Sequence, residues 1–213
     1  EARVLARYSA CNATVLGHAL TLPEAPPPDF AARSGFVFVG ALAREGQPNV
    51  DSLDWFFGHV WPLVRARLPE AALTIVGGIA PEIRERYARE PGVRVTGRVP
   101  QTEPFLDAAR VFLAPTRFAA GIPHKVHEAV ARGLPCVVTP ILADQVGWAD
   151  GTGILVRDWR DPKPFAEAVV ALHEDAGLWQ SVQAAGIETI AEDCDADAFA
   201  AAIRALCEAQ VVA

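Results

Sequence analysis

Residues 110–138 read RVFLAPTRFAAGIPHKVHEAVARGLPCVV, and this stretch decides the fold. Val111, Phe112, Leu113 and Ala114 form a short apolar run closed by Pro115, the pattern of a buried strand. A loop from Thr116 to His124 follows, with Gly121, Pro123 and two basic side chains, Arg117 and His124. Val126, Ala129 and Val130 then recur at helical spacing, and Gly133 is a helix stop signal. Leu134-Pro135 leads into a second apolar run, Cys136-Val137-Val138. Lys125 and Glu128 stand three apart, so they share a face of the first helical turn. The dipole favours negative charge at that end, so a lysine there needs a reason. A bound phosphate supplies one, because the free N–H groups of a helix N-terminus already favour an anion.

The same alternation extends on both sides. Upstream, Phe36 to Val39 is a buried strand closed by Gly40. A helix is predicted from about Val50 to Arg67, capped by Asn49 or Asp51 and kinked or broken at Pro62. Leu73 to Val76 is the second strand, and Pro81 opens a helix that runs to about Arg89. Val93 to Gly97 is the third strand, and a short helix around Pro104 to Ala109 precedes the strand at 111–114. Downstream, Ile154 to Val156 is a sixth strand, followed by helices from Asp161-Pro162, from Leu178 to Ala191 and from Ala196 to Val211. The expected fold is α/β: a Rossmann-like, doubly wound parallel sheet of about six strands with helices on both faces. Residues 1–35 fall outside it. Val4-Leu5-Ala6 and Thr14-Val15-Leu16 fit short strands or a helix end, and Thr21 to Asp29, with four prolines in nine residues, is an extended connector.

The 213 residues are 51% hydrophobic and 21% charged, which suits one larger globular domain or a domain with an appendage. A net charge of −7 argues against nucleic acid as a partner, so anion binding must be local. Cys11, Cys136, Cys194 and Cys207 show no zinc-ligand spacing, and a reduced, cytoplasmic setting is expected. No run of about 18 apolar residues occurs, so no membrane-spanning helix is expected, and no signal peptide is expected in the first residues. Met is absent and the first residue is Glu1, so further sequence upstream, or omitted positions, is expected.

Ligands of an open parallel sheet bind outside the carboxyl ends of its strands. Those loops carry Gly40 and Arg44, Gly77-Gly78, Gly97 and Arg98, and Arg117 to Lys125, with Glu128 one turn into the helix. Cations and close-approach glycines suit a phosphate, and a carboxylate suits a diol, so a phosphorylated, hydroxylated ligand fits. The competing explanation for Lys125 and Glu128 is a plain surface ion pair. His124 and His127 permit metal binding by spacing but lack a third ligand, and no metal site is expected. Asp144, Asp150 and Asp158 read as acidic surface loops.

The segment R-F-x-A-G-I-x-x-K-V-x-E-A-x-A-x-G-x-P-x-V, at 117–137, resembles the donor-site segment of retaining glycosyltransferases of the GT-B fold, the glycosyl transferases group 1. F-V-F-V-G-A-L, P-N-V-D-S-L-D-W-F, L-T-I-V-G-G and V-R-V-T-G-R-V resemble that family in the same order, so the likeness covers roughly Phe36 to Leu206. It implies that 36–213 is a C-terminal, nucleotide-sugar donor-binding domain and 1–35 the tail of a missing N-terminal domain plus connector. It also implies a metal-independent transfer of a sugar from a nucleotide diphosphate to an acceptor, with no cofactor. Lys125 and Arg44 would stabilise the leaving diphosphate, Glu128 would bind the ribose hydroxyls, and Gly97-Arg98-Val99 would hold the base. Gly40 would approach the phosphates, and Val126 would join the donor site beside Lys125. Many members carry a sugar-contacting glutamate eight residues before the one matching Glu128, where this chain has Ala120. Arg117, or the backbone of Ala120, Gly121 and Ile122, would substitute. The missing domain would supply the acceptor site and any peripheral membrane attachment, so this segment alone would bind nucleotide but turn over poorly. The alternatives are a non-catalytic nucleotide-sugar-binding or scaffold domain, an epimerase of the same architecture, and a flavodoxin-like binding domain.

Overall fold

The structure is a computed structural model and describes residues 16–211. Six strands form one all-parallel sheet: β1 (Phe36–Val39), β2 (Leu73–Val76), β3 (Val93–Gly97), β4 (Val111–Ala114), β5 (Cys136–Val138) and β6 (Ile154–Val156). Their order, β3-β2-β1-β4-β5-β6, is that of the doubly wound dinucleotide-binding fold, with the direction of winding reversing between β1 and β4. Strand side chains alternate between two buried faces. Phe36, Phe38, Leu73, Ile75, Val111 and Leu113 enter one core, while Val37, Phe112, Cys136 and Val138 are equally buried. Burial on both faces is why these strands read as continuous apolar runs.

The helices are α1 (Pro48–Trp55), α2 (Trp61–Arg67), α3 (Pro81–Ala88), α4 (Glu103–Ala108), α5 (His124–Ala131), α6 (Pro140–Val146), α7 (Pro162–Glu174), α8 (Ala176–Asp193) and α9 (Ala196–Val211). Between α1 and α2 lies a π-helical turn, Phe56–Val60. That turn is the form taken by the break expected at Pro62. Proline has no N–H to give and crowds the carbonyl four residues back. The helix widens instead, and the Trp61 N–H reaches back five residues to the Phe56 carbonyl. The chain therefore continues without turning away from the core, and Phe56, Phe57, Val60 and Trp61 stay buried. Helix α6 has no counterpart in the sequence prediction.

The cap expected at Asn49 or Asp51 is not formed. Gln47 occupies the N-cap position, Pro48 begins α1, and no side chain caps it.

The proline connector is also more than a tether. Residues 23–189 form one compact unit; of the remaining described residues, 16–22 and 190–211 form a second. Residues 23–35, expected outside the fold, therefore belong with the sheet. Arg33, 1% exposed, accounts for this. Its guanidinium donates to the carbonyls of Pro28, Leu106, Ala109 and Arg132. Leu106 and Ala109 belong to the end of α4, and Arg132 caps the end of α5, so one cation satisfies carbonyls at two helix C-termini. Burial pushes the Arg33 guanidinium down to about 10. Phe30 adds an edge contact to Trp179, and Arg110 lies 4.0 Å over the Phe30 ring. In the second unit, the Leu20 N–H donates to the Cys194 carbonyl at 3.1 Å, and α9 follows. The strand or helix ends expected at 4–6 and 14–16 lie largely outside the described residues. No described helix is long and apolar enough to cross a membrane.

Replacing Arg33 by Ala orphans several carbonyls at once. Urea denaturation of Arg33→Ala is expected to show a loss of roughly 3 kcal/mol; an unchanged midpoint would contradict the latch.

Candidate anion site at the switch point of the sheet

The loops after β1 and β4 flank the switch point, and the first is built by close backbone approach. Leu42 pairs with Ile79 in an isolated parallel bridge; the Leu42 N–H donates to the Gly78 carbonyl and the Ala80 N–H to the Leu42 carbonyl. Gly77, at φ +140°, permits this, because a Cβ there would stand 2.1 Å from the Gly40 carbonyl oxygen. Gly40 makes room in turn for Asn49, whose Nδ2 would lie 2.7 Å from a Cβ at position 40. Asn49 Nδ2 donates to the Ala41 carbonyl at 3.1 Å. Its amide orientation is thereby set, with Oδ1 turned to Lys125 Nζ, which donates to it at 2.8 Å.

Lys125 is the second residue of α5, and its Nζ also sits 4.8 Å from the centroid of the Phe38 ring. No carboxylate pairs with it among the described residues. The ion pair with Glu128 is not formed: Glu128 is exposed on the next turn. Burial without a counter-charge pushes the Lys125 ammonium down to about 8. The result is a cation held by two neutral partners, with its charge unmatched.

A cavity of about 360 Å³ opens here, lined by Gly40, Asn49, Ala120, Gly121, Ile122 and Lys125, and further by Thr116, Leu142 and Gln145. Five residues expected at the site thus meet: Gly40, Ala120, Gly121, Ile122 and Lys125. The others lie around it. Arg44 is exposed on the β1 loop; its backbone N–H donates to Gln47 Oε1 at 3.2 Å and its carbonyl accepts from the Gln47 N–H at 3.4 Å. Gly97 is buried at φ +82°, Arg98 is exposed and Val99 is half-buried at the end of β3. Val126 is fully buried, and its N–H bonds the Pro123 carbonyl, so its contribution is to anchor Lys125.

Arg117 is already matched. It makes a two-pronged bridge to Asp51, with Nε to Oδ2 at 2.8 Å, and its guanidinium lies 5.4 Å from the Trp159 ring centroid. Asp51 raises the Arg117 pKa further, so this arginine keeps its charge but spends it within the protein. His127 is buried against Trp148, ring centroids 5.0 Å apart, while His124 is exposed. Asp150 and Asp158 pair with Arg157 and Arg160.

The sequence alone missed Asn49, Thr116 and Gln145 as site residues, and Asp51 as the partner of Arg117. Asn49 was legible only as a helix cap, a role that any Asn near a helix start suggests equally well.

A family model for glycosyl transferases group 1 matches residues 33–175. No curated protein matches the chain. Among solved structures, a TarM variant from S. aureus, crystallised with Fondaparinux, alpha-GlcNAc-glycerol and UDP, superposes with a TM-score of 0.73 at 14% identity, over 92% of this chain and 40% of that one. Anabaena HepE with UDP and glucose gives 0.66 at 13% identity, over 84% and 49%. The C-terminal domain of the group 1 glycosyl transferase LpcC from Francisella tularensis gives 0.58 at 11% identity, over 75% and 86%. At such identities the likeness is one of fold. The chain spans less than half the length of TarM and about half that of HepE.

The Lys125 pKa makes a prediction about stability. The folded value, about 8, lies below the ordinary 10.5. Between those values the unfolded chain binds more protons, so this group makes stability rise with pH there. Below pH 8 the full cost of the buried charge stands. Lys125→Met is therefore expected to be more stable than wild type at pH 7, by on the order of 2 kcal/mol. The difference should shrink by pH 10 in chemical denaturation; a pH-independent difference would contradict the assignment.

Proposed function

The chain belongs to the glycosyl transferases group 1 family, and we propose that it is the donor-binding part of a retaining, metal-independent glycosyltransferase. The observation that carries this is Lys125: a cation lining an open cavity at the switch point, with no carboxylate among the described residues to neutralise it. A nucleoside diphosphate supplies the missing negative charge. UDP in the TarM and HepE structures supports that ligand class.

In this account Lys125 meets the diphosphate, and the exposed Arg44 reaches it from the β1 loop. As the bond from sugar to phosphate breaks, negative charge grows on the leaving diphosphate. A preorganised ammonium stabilises that charge most where water is scarce. Glu128 takes the ribose hydroxyls, and Gly97, Arg98 and Val99 present backbone to the base. Arg117 supports the site through Asp51 instead of binding donor, because its guanidinium is already paired. The acceptor and the groups that handle its proton come from the remainder of the protein. The setting is cytoplasmic, with any membrane attachment peripheral and outside this segment.

Ala120 favours a second reading. It is exposed in the cavity where a carboxylate would read the sugar, which fits a nucleotide-sugar-binding scaffold without transfer activity. Transfer and hydrolysis assays on the full-length protein separate the two, since a scaffold turns over nothing.

Titration with uridine, guanosine, adenosine and thymidine diphosphates tests the shared part of both readings. One of them is expected to bind wild type, and Lys125→Ala to bind it about 10- to 100-fold more weakly, the loss of one charge-assisted contact. Equal affinity for wild type and variant would remove the phosphate role.

A further inference from the structure

Two polar atoms in the cavity wall have no hydrogen-bond partner among the described residues. Thr116 is 2% exposed, and its Oγ1 is buried without a hydrogen bond. Gln145 Oε1, also buried, is in the same condition. Both residues line the cavity that Lys125 lines. Buried hydroxyls and amide oxygens are ordinarily satisfied, because leaving one bare forfeits its hydration for nothing. Two in one wall of an open cavity point to a ligand that satisfies them.

Their orientation is set by the fold. Gln145 Nε2 donates to the Ala119 carbonyl at 3.2 Å. The opposite amide orientation would set two oxygens against each other, so Oε1 is the free atom. Thr139 Oγ1 donates to the Thr116 carbonyl, which holds the backbone beneath the Thr116 hydroxyl. The pair offers one pure acceptor, Oε1, and one hydroxyl able to donate or accept. Neither carries charge. Such a wall suits the hydroxyl groups of a neutral sugar and disfavours a carboxylate, whose oxygens would face the lone pairs of Oε1.

Resting on the diphosphate assignment above, we infer that Thr116 and Gln145 form an uncharged, hydroxyl-reading subsite for the transferred sugar, in the cavity where Ala120 offers no carboxylate. These are specificity-determining residues, on β4's exit and on α6, that touch the sugar and not the phosphates.

The test is calorimetric titration of the chain with uridine, guanosine and adenosine diphosphates, each also as its glucosyl ester, and with UDP-glucuronate. The expected result is that a glucosyl ester binds wild type more tightly than the bare diphosphate and more tightly than the glucuronyl ester. Thr116→Val and Gln145→Leu should weaken the glucosyl ester about tenfold, the loss of one hydrogen bond, and leave the bare diphosphate unchanged. Thr116→Ser should bind like wild type. Thr116→Val should melt at or above the wild-type temperature, since it removes an unsatisfied atom without changing shape; a hydroxyl needed structurally would lower it. The subsite alone is overturned if wild type binds diphosphate and ester equally, or if the variants lose both ligands together or neither. If no diphosphate binds wild type, the diphosphate assignment falls and the subsite with it.

Discussion

A half-buried ammonium with no counter-ion among the described residues is the constraint around which the strand-end side of this sheet is arranged. Lys125 donates to an amide oxygen and rests over an aromatic ring. Neither partner cancels its charge, and desolvation of the half-buried side chain lowers its pKa. Such a group is costly when empty and effective when an anion arrives. The features around it follow from keeping it there. Gly77 lets the β1 and β2 loops close on each other, and Gly40 leaves space for Asn49. Asn49 is pinned by the Ala41 carbonyl so that its oxygen faces the lysine. Val126, buried on the next position, fixes the helix turn that carries the lysine.

The contrast with Arg117 shows why position alone does not make a phosphate ligand. Both cations sit in or after the β4 loop. Arg117 has Asp51 within hydrogen-bonding reach at both oxygens, and an anion would have to displace that bridge. Lys125 has no such rival. Charge on the strand-end side of the sheet is thus divided between a bridged pair and a cation with no carboxylate partner among the described residues.

The fold was largely legible because both faces of the sheet are buried. Short runs closed by Gly or Pro marked β1, β2 and β4, the stretches at 93–97, 136–138 and 154–156 marked the other three strands, and the winding followed from the helices between them. Boundaries set by local chemistry were legible too, as at Pro81. Long-range partners were not. Nothing local pairs Arg117 with Asp51, 66 residues away, or sends Arg33 to carbonyls 73 to 99 residues on. The proline-rich stretch looked like a linker because its anchoring side chain comes after the prolines. Helix α6 begins at a proline directly after β5 and is only seven residues long, too short to show a period. In the site, Lys125 was readable from its misfit with the helix dipole. Asn49 and Gln145 were not, since their importance lies in which atom is left free.

The central claim is that Lys125, its pKa lowered by burial, becomes fully charged when a diphosphate binds. Proton linkage tests this most directly. Calorimetric titration of the nucleoside diphosphate at mildly alkaline pH, in buffers of differing ionisation enthalpy, should show net proton uptake on binding to wild type. The uptake should vanish in Lys125→Arg, which stays charged throughout. Binding to wild type with no proton uptake, or the same uptake in the arginine variant, would contradict the account.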